Sequence, residues 1–490
     1  MMRKYCTTIV CILWFVVGCG QQGDTDVHSE NGSENVALDS IFAAWDLPGS
    51  PGCALAVAQD GVLDYSHGYG FANLDYDIPI TPQTIFDIAS VTKQFNAASI
   101  SMLALEGKLS LDDNIRDWLP DLPEYEWPIT LRHMLHHTSG LRDYLTLFPL
   151  AGRNDYYPIS HARILAMMSR QRGVDFPPGD KYEYSNTAYM LLSQVVEQAS
   201  GQTLGEFTEE RIFGPLEMDD SFMYEDFEAV VPYRATGYVR DDDGRLRIVH
   251  NYNFDVAGDG QMYATMEDLL LWDNYLHGEE KPEIHPLMLT EGYLNNGDPV
   301  GYAQGIRLDE YRGLSTLRHS GSSWGFRTEL VRFIEPRLSI AISCNMGDVD
   351  PSVMAQRVAD HYLVDELGPA MEDEGESNVA PLADEAPVSP TLTVEELAEY
   401  AGSYYAPELD AAYHFAVVGN VLMVRIEQEA ELSAVAIGSD EFEVGFQPAG
   451  WGGGSTLKLE FDRNRAGAVI GFGLTLGSLR GIVFEKGEDR

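Results

Sequence analysis

Ser90 and Lys93 stand three residues apart in the stretch FDIASVTKQFNAASISM, from Phe86 to Met102. The stretch is apolar and helix-forming, and Lys93 is the only charged residue between Asp87 and Glu106. On a helix this spacing puts serine and lysine on one face. That face continues through the small residues Ala97, Ser101 and Ala104, with Val91, Phe95, Met102 and Leu105 along an adjoining stripe. Such a pattern predicts a helix packed on several sides. A lysine there loses its hydration, and burial favours the neutral amine. A neutral amine beside a hydroxyl can take its proton and turn the serine into a nucleophile. The competing reading is structural: a lysine whose stem packs while its ammonium reaches water. Spacing alone leaves both open, and STLK (Ser455 to Lys458) shows how cheap it is. That second match lies in a strand-like run, where residues three apart face opposite sides.

Two further stretches come later in the chain. FPPGDKYEYSNTAYMLL carries Tyr184-Ser185-Asn186 at the entry to a helix, and LRHSGSSWGFRTELVRFI carries His319-Ser320-Gly321 at the start of a strand. Tyrosine-x-asparagine recurs at Tyr293 to Asn295, whereas His-x-Gly occurs only at His319. The order serine helix, tyrosine loop, strand carries the weight.

With these residues in place, the chain resembles the penicillin-recognising serine hydrolases: class C β-lactamases, D-alanyl-D-alanine carboxypeptidases and related esterases. Ser90-Val-Thr-Lys93 matches their S-x-x-K, Tyr184-Ser-Asn186 their Y-x-N, and His319-Ser-Gly321 their K/H-x-G. LRHMLHHTSGLRDY also looks like a family segment, and the likeness covers roughly residues 40 to 365. It implies Ser90 as nucleophile, with Lys93 and Tyr184 sharing the proton work. It also implies that Asn186 fixes the lysine, that the backbone N–H groups of Ser90 and Ser322 form an oxyanion hole, and that Gly321 lets an extended substrate lie along the strand. Class C enzymes carry lysine where this chain has His319. A mostly neutral histidine there would grip a substrate carboxylate less firmly, with activity sensitive to pH near 6 to 7. The expected activity is hydrolysis of D-amino-acid peptides or small esters, with β-lactam hydrolysis as the alternative and a non-catalytic binding lipoprotein as the second.

The elements that must hold these residues read as an α+β unit. CALAVAQDGVLDYSHGYG is two strand-like runs joined at Asp60-Gly61, a hairpin signal. Strand texture returns from Leu317, with helices between, so an antiparallel sheet flanked by helices and closed by the two ends of the domain is expected over residues 37–367. Residues 368–391, acidic and proline-rich, read as a linker. Residues 392–490 alternate in short segments punctuated by turns, which suggests a small antiparallel barrel similar to the lipocalin-like barrels appended to some family members.

Residues 1–18 read as an export signal, with Arg3 and Lys4 before an apolar run. VVGC resembles a bacterial lipobox with Cys19 as the lipidated residue, leading into a polar tether over 19–36. The expected place is therefore outside the cytoplasm, on a membrane through a lipid on Cys19, facing the periplasm or exterior. Of five cysteines only Cys53 and Cys344 remain, free to pair or to stay as buried thiols. With 32 basic against 77 acidic residues the net charge is -45, which argues against nucleic acid as a partner. The partner is a small-molecule or peptide substrate. No cofactor or metal is expected: His136 and His137 are adjacent and lack ligand-like spacing to other donors. GSSWG, Gly321 to Gly325, fits a nucleophile elbow at Ser323, but the strand-like run after it is the wrong context.

Overall fold

Asp60 and Gly61 both take positive φ, 53° and 78°, as a tight hairpin between right-twisted strands requires. They join β1 (Cys53–Gln59) to β2 (Val62–Tyr69). The computed structural model describes residues 32–153, 157–249, 254–369, 390, 392–427, 431–446 and 455–487. The expected leader, Cys19 and nearly all of the expected linker lie outside them. A helix, α1 (Gly32–Phe42), begins inside the segment expected as tether.

Four more strands come from the far end of the domain: β3 (Arg307–Tyr311), β4 (Leu314–Ser323), β5 (Phe326–Phe333) and β6 (Leu338–Cys344). They form one antiparallel sheet in the order β3-β4-β5-β6-β1-β2, so the two ends of the domain close it as expected. Cys53 lies directly opposite Cys344 in this register, and the two form a disulfide. Of the two fates open to these cysteines, pairing is the one the register brings about. β1 is buried at every position but its last, because both faces of the sheet are covered. Leu38, Phe42, Leu55, Ile340 and Val358 fill the core on one face, where α1 and the last helix of the domain, Pro351–Tyr362, pack. Ala54, Ala56, Phe95 and Trp272 belong to the core on the other.

On that second face lies α2 (Lys93–Leu105), buried from Lys93 through Leu103, as its small and large stripes predict. Met266–His277 packs against β1 and β6 beside it. Also there is α4 (Asn186–Ser200), which starts on the Ser185 N-cap and ends at Gly201 with φ 79°. A short helix, α3 (Tyr144–Leu150), precedes α4 in the chain and is capped by Asp143.

The C-terminal unit is a closed eight-stranded antiparallel barrel between Gly402 and Lys486. Its first strand, Gly402–Ala406, pairs with its last, Leu479–Lys486. Rings fill its interior: Phe472 stacks on Phe484 with centroids 4.4 Å apart and meets Phe461 at 5.1 Å. The barrel side chains and the helical side of the first domain form one continuous apolar core. The STLK serine and lysine fall on one of its strands, Ser455–Arg463, whose alternating burial leaves Lys458 exposed.

Candidate active site

Ser90 sits on a 3-10 turn, Ala89–Thr92, that runs directly into α2. In a 3-10 turn residues three apart eclipse one another, so serine and lysine are stacked more closely than an α-helix would place them. The turn begins with a strained residue: Ala89 has φ 49°, which costs a non-glycine residue about 1–2 kcal/mol. Two hydrogen bonds hold it there. Asp87 Oδ1 accepts from Ala89 N at 2.8 Å, and Thr92 Oγ1 donates to Ala89 O at 2.5 Å. Ser90 itself remains partly exposed.

Lys93 is wholly buried, and its Nζ meets three oxygens: Ser90 Oγ at 3.2 Å, Asn186 Oδ1 at 2.9 Å and the main-chain O of Asp259 at 2.5 Å. An ammonium uses three N–H donors on these partners. A neutral amine keeps two, for Asn186 and Asp259, and turns its lone pair toward Ser90. Burial lowers the Lys93 pKa to about 8, against the opposing pull of the Asp259 and Asp143 carboxylates. About one molecule in ten then carries the neutral amine at pH 7. The snorkelling alternative fails, because the ammonium does not reach solvent.

The Tyr184 ring faces Lys93 Nζ at 4.8 Å. Its hydroxyl is enclosed without a hydrogen-bond partner of full geometry, yet the Ser90 side chain is near enough to favour its phenolate. Burial outweighs that help and raises the Tyr184 pKa, so the phenol stays protonated. His137 orients this segment: its Nδ1 accepts from Ser185 N at 3.1 Å and its ring packs 4.3 Å from that of Tyr184. Asn186 is fixed from behind, where Asp143 Oδ2 accepts from its backbone N at 2.6 Å. Burial pushes the Asp143 carboxyl up to about 6, and it raises Asp259 as well.

Among the described residues, β4 pairs only with β5 from His319 to Ser323, and β3 pairs with it no further than Arg318. One edge of this stretch, which includes Ser322, is therefore open to an added strand. Gly321 has a further reason to be glycine. A Cβ there would stand 2.2 Å from the Ile88 carbonyl oxygen and 3.1 Å from the Ala89 methyl, so its absence lets β4 lie against the serine turn. GSSWG closes a β4–β5 hairpin at Trp324-Gly325 and is no strand-turn-helix elbow.

His319 departs from its expected part. Its Nδ1 donates to Ser320 O at 2.7 Å, which leaves Nε2 to accept from the Tyr302 hydroxyl at 3.0 Å. Both nitrogens are occupied, and burial, helped by the nearby Lys93 charge, pushes its pKa down to about 3. It is neutral throughout pH 6 to 7, so neither the weak carboxylate grip nor the titration expected there holds. The cation that faces this corner is one the sequence did not single out. Arg307 lies 5.8 Å from the Tyr302 ring and interacts electrostatically with Tyr184 and His319. It also acts on the Tyr182 hydroxyl and the Asp309 carboxylate, favouring the ionised form of each. Asp259 was also missed, since it acts through a main-chain carbonyl that no side-chain motif announces. Asp143 was within reach: it stands near the end of LRHMLHHTSGLRDY, a stretch that resembles the family.

Comparison with known proteins gives the family and the fold. The Beta-lactamase family model matches residues 41–363. Penicillin-binding protein 4* of Bacillus subtilis is 29% identical over 323 residues, which cover 62% of this chain and 71% of the relative. A D-aminopeptidase of Gluconobacter oxydans is 29% identical over 317 residues, 64% of this chain and 59% of its own. The chain thus spans less than two thirds of that relative's length. The octameric penicillin-binding protein homologue from Pyrococcus abyssi is similar in fold, with a TM-score of 0.58 over 93% of this chain and 99% of its own, at 22% identity.

Proposed function

The chain belongs to the beta-lactamase family of serine hydrolases, and from that premise we propose that it cleaves D-amino-acid peptides or small esters through an acyl-enzyme on Ser90. The observation that carries this is the set of contacts around Lys93: two neutral oxygens hold the amine while its third direction faces Ser90 Oγ. Neutral Lys93 takes the Ser90 proton as Oγ attacks the carbonyl carbon. The oxyanion falls to the backbone N–H groups of Ser90 and Ser322, each such donor typically contributing roughly 3 kcal/mol in the transition state. Tyr184, held in its protonated form, passes a proton to the departing nitrogen or oxygen and is refilled by the proton that Lys93 took from Ser90, so the step leaves both groups neutral. Water then cleaves the acyl-enzyme by the reverse proton path. Asn186 holds the lysine through Oδ1, and the open edge of β4 receives the extended substrate beside Gly321.

Arg307 is the group suited to a substrate carboxylate, now that His319 is occupied. This favours a peptide with a free C-terminal carboxylate, and the carboxylate of a β-lactam would meet the same cation. The relatives named D-aminopeptidase support D-residues as the substrate class. The proposal extends to location, on the outer side of a bacterial membrane through lipid on Cys19; its support is the leader and the VVGC stretch.

Fluorescent penicillin applied to cells making the full-length chain tests these points together. A covalent adduct is expected in the membrane fraction of wild type and in the soluble fraction for Cys19→Ala. For Ser90→Ala no adduct is expected. Label that persists for hours fits a peptidase, and decay within minutes would make β-lactam hydrolysis the activity. Equal labelling of Ser90→Ala would overturn the nucleophile. If neither penicillin nor a p-nitrophenyl ester reacts with wild type, the chain is a binding protein.

A further inference from the structure

A second buried cation lies one loop away from Lys93. Arg142 is 3% exposed, and its guanidinium sits between the two domains. Nη1 donates to Glu408 Oε2 of the barrel at 2.6 Å and to Gln171 Oε1 at 2.9 Å. Nη2 donates to the main-chain O of Arg480, also of the barrel, at 2.7 Å, and Nε lies 3.6 Å from Asp175 Oδ1. Glu408 makes two further contacts at this junction: Oε2 also accepts from Arg172 N at 2.7 Å, and its main-chain O accepts from Gln171 Nε2 at 2.9 Å. The partners of Arg142 thus come from both sides of the junction.

The backbone of Arg142 and the two residues after it connect this junction to the catalytic lysine. The Arg142 carbonyl accepts from Thr187 Oγ1 at 2.9 Å, and Asp143 Oδ2 accepts from Asn186 N at 2.6 Å. Tyr144 N donates to Thr187 Oγ1 at 2.7 Å, and its hydroxyl donates to Asp259 Oδ2 at 2.8 Å. Asn186 and Asp259 are the two residues whose oxygens hold Lys93. On the other flank the barrel's Ser478 bonds the carboxylate of Glu183, the residue before Tyr184, and Arg480 N donates to Asp175 Oδ1 at 3.1 Å. Two of the segments that carry the site, 142–144 and 183–186, are therefore gripped from the barrel side.

We propose that the barrel is part of the catalytic platform: Glu408 fixes Arg142, and the Arg142–Tyr144 segment then fixes Asn186 and Asp259 around Lys93. Glu408 and Arg142 are positioning residues, acting on the reaction only through others. The proposal rests on Ser90 and Lys93 as the acylating pair. Without Glu408 the buried guanidinium loses its nearest carboxylate and the segment relaxes. Water then reaches Lys93, the lysine regains its proton, and acylation slows.

The test measures the acylation rate constant with fluorescent penicillin, or a p-nitrophenyl ester, on full-length protein across pH 6 to 10. The proteins are wild type, Glu408→Ala, Glu408→Gln, Arg142→Ala and the double alanine variant. Glu443→Ala serves as the barrel control, since the pair it breaks among the described residues is a 3.7 Å contact with the exposed Lys458. Glu408→Ala and Arg142→Ala are each expected to slow acylation at pH 7 at least ten-fold and to move the midpoint of the pH profile upward. The double variant should be no slower than the slower single, and Glu408→Gln should fall between wild type and alanine. Unchanged rates and midpoints in folded alanine variants overturn the proposal. If those variants do not fold, as circular dichroism would show, Glu408→Gln decides: an unshifted midpoint overturns it. If wild type does not acylate, the failure is that of Ser90, and the proposal falls with it.

Discussion

Lys93 and Arg142 are both buried cations in the same half of the first domain, yet they are held in opposite ways. Among the described residues Lys93 Nζ bonds uncharged oxygens, of Ser90, Asn186 and the Asp259 main chain, with carboxylates farther off. Arg142 is tied directly to the Glu408 carboxylate at 2.6 Å, with Asp175 beside it. Neutral acceptors do not return what burial takes from an ammonium, so Lys93 can shed its proton. A guanidinium keeps its proton and its fork geometry whatever surrounds it. One burial makes a base and the other makes a rivet. The difference teaches that depth alone does not decide whether a buried cation can do chemistry: the group must be able to shed its proton, as a lysine can, and its partners must not hold that proton in place.

The harshest way to break the comparison is to give the lysine site a cation of the other kind. Lys93→Arg keeps positive charge but cannot supply a neutral base, so acylation by penicillin should fall by about 10²–10⁴-fold at every pH. Recovery of the rate at high pH would contradict the lysine's part as base. A milder change gives Lys93 the partner that Arg142 has. Asn186→Asp puts a carboxylate where a neutral oxygen stood 2.9 Å from Nζ. An adjacent opposite charge moves a pKa by roughly 1–3 units, here upward because it favours the ammonium. Acylation at pH 7 should drop by about ten-fold to a thousand-fold and return as the pH is raised. A loss that is equal at pH 7 and pH 10 would mean that Asn186 matters for holding substrate instead.

Much of this site was legible in the residues, and the parts that were not share a cause. The order of Ser90-x-x-Lys93, Tyr184-x-Asn186 and His319-x-Gly321 marked the chemistry because each motif joins reactive side chains at fixed local spacing. Strand alternation and turn residues likewise marked the sheet closed by both ends and the C-terminal barrel. The rest depended on contacts that skip far along the chain or run through the backbone. Arg142 and Glu408 are 266 residues apart. Asp259 serves through its carbonyl, and only its Gly258 and Gly260 neighbours hint at a special turn. The 3-10 geometry at Ser90 comes with strain at Ala89, which needs Asp87 and the approach of Gly321 to persist. His319 misled for the same reason: its type and position were plain, but the tyrosine that occupies its ring nitrogen was not.

The smallest effect sharpens the comparison from the side of that histidine. Wild-type acylation should rise with pH in proportion to neutral Lys93 and level off above about 8, gaining about ten-fold between pH 7 and the plateau. The sign comes from the lowered lysine pKa: the reactive form is the deprotonated one, so activity is lost as pH falls. A histidine titrating near its ordinary value would add a second bend between pH 6 and 7. Buried against Tyr302, with its pKa pushed down to about 3, His319 adds none. The profile should therefore fall from its plateau with a single slope down to pH 7, below which the Asp143 carboxyl, pushed up to about 6, adds its own change in wild type and in His319 variants alike. His319→Asn should lower the rate without changing that shape, whereas a bend in wild type that vanishes in the variant would put a titrating imidazole back in the site. A histidine would then join Lys93 in setting the pH dependence above pH 6, and the contrast with Arg142 would have to be drawn between two titrating bases and a fixed cation.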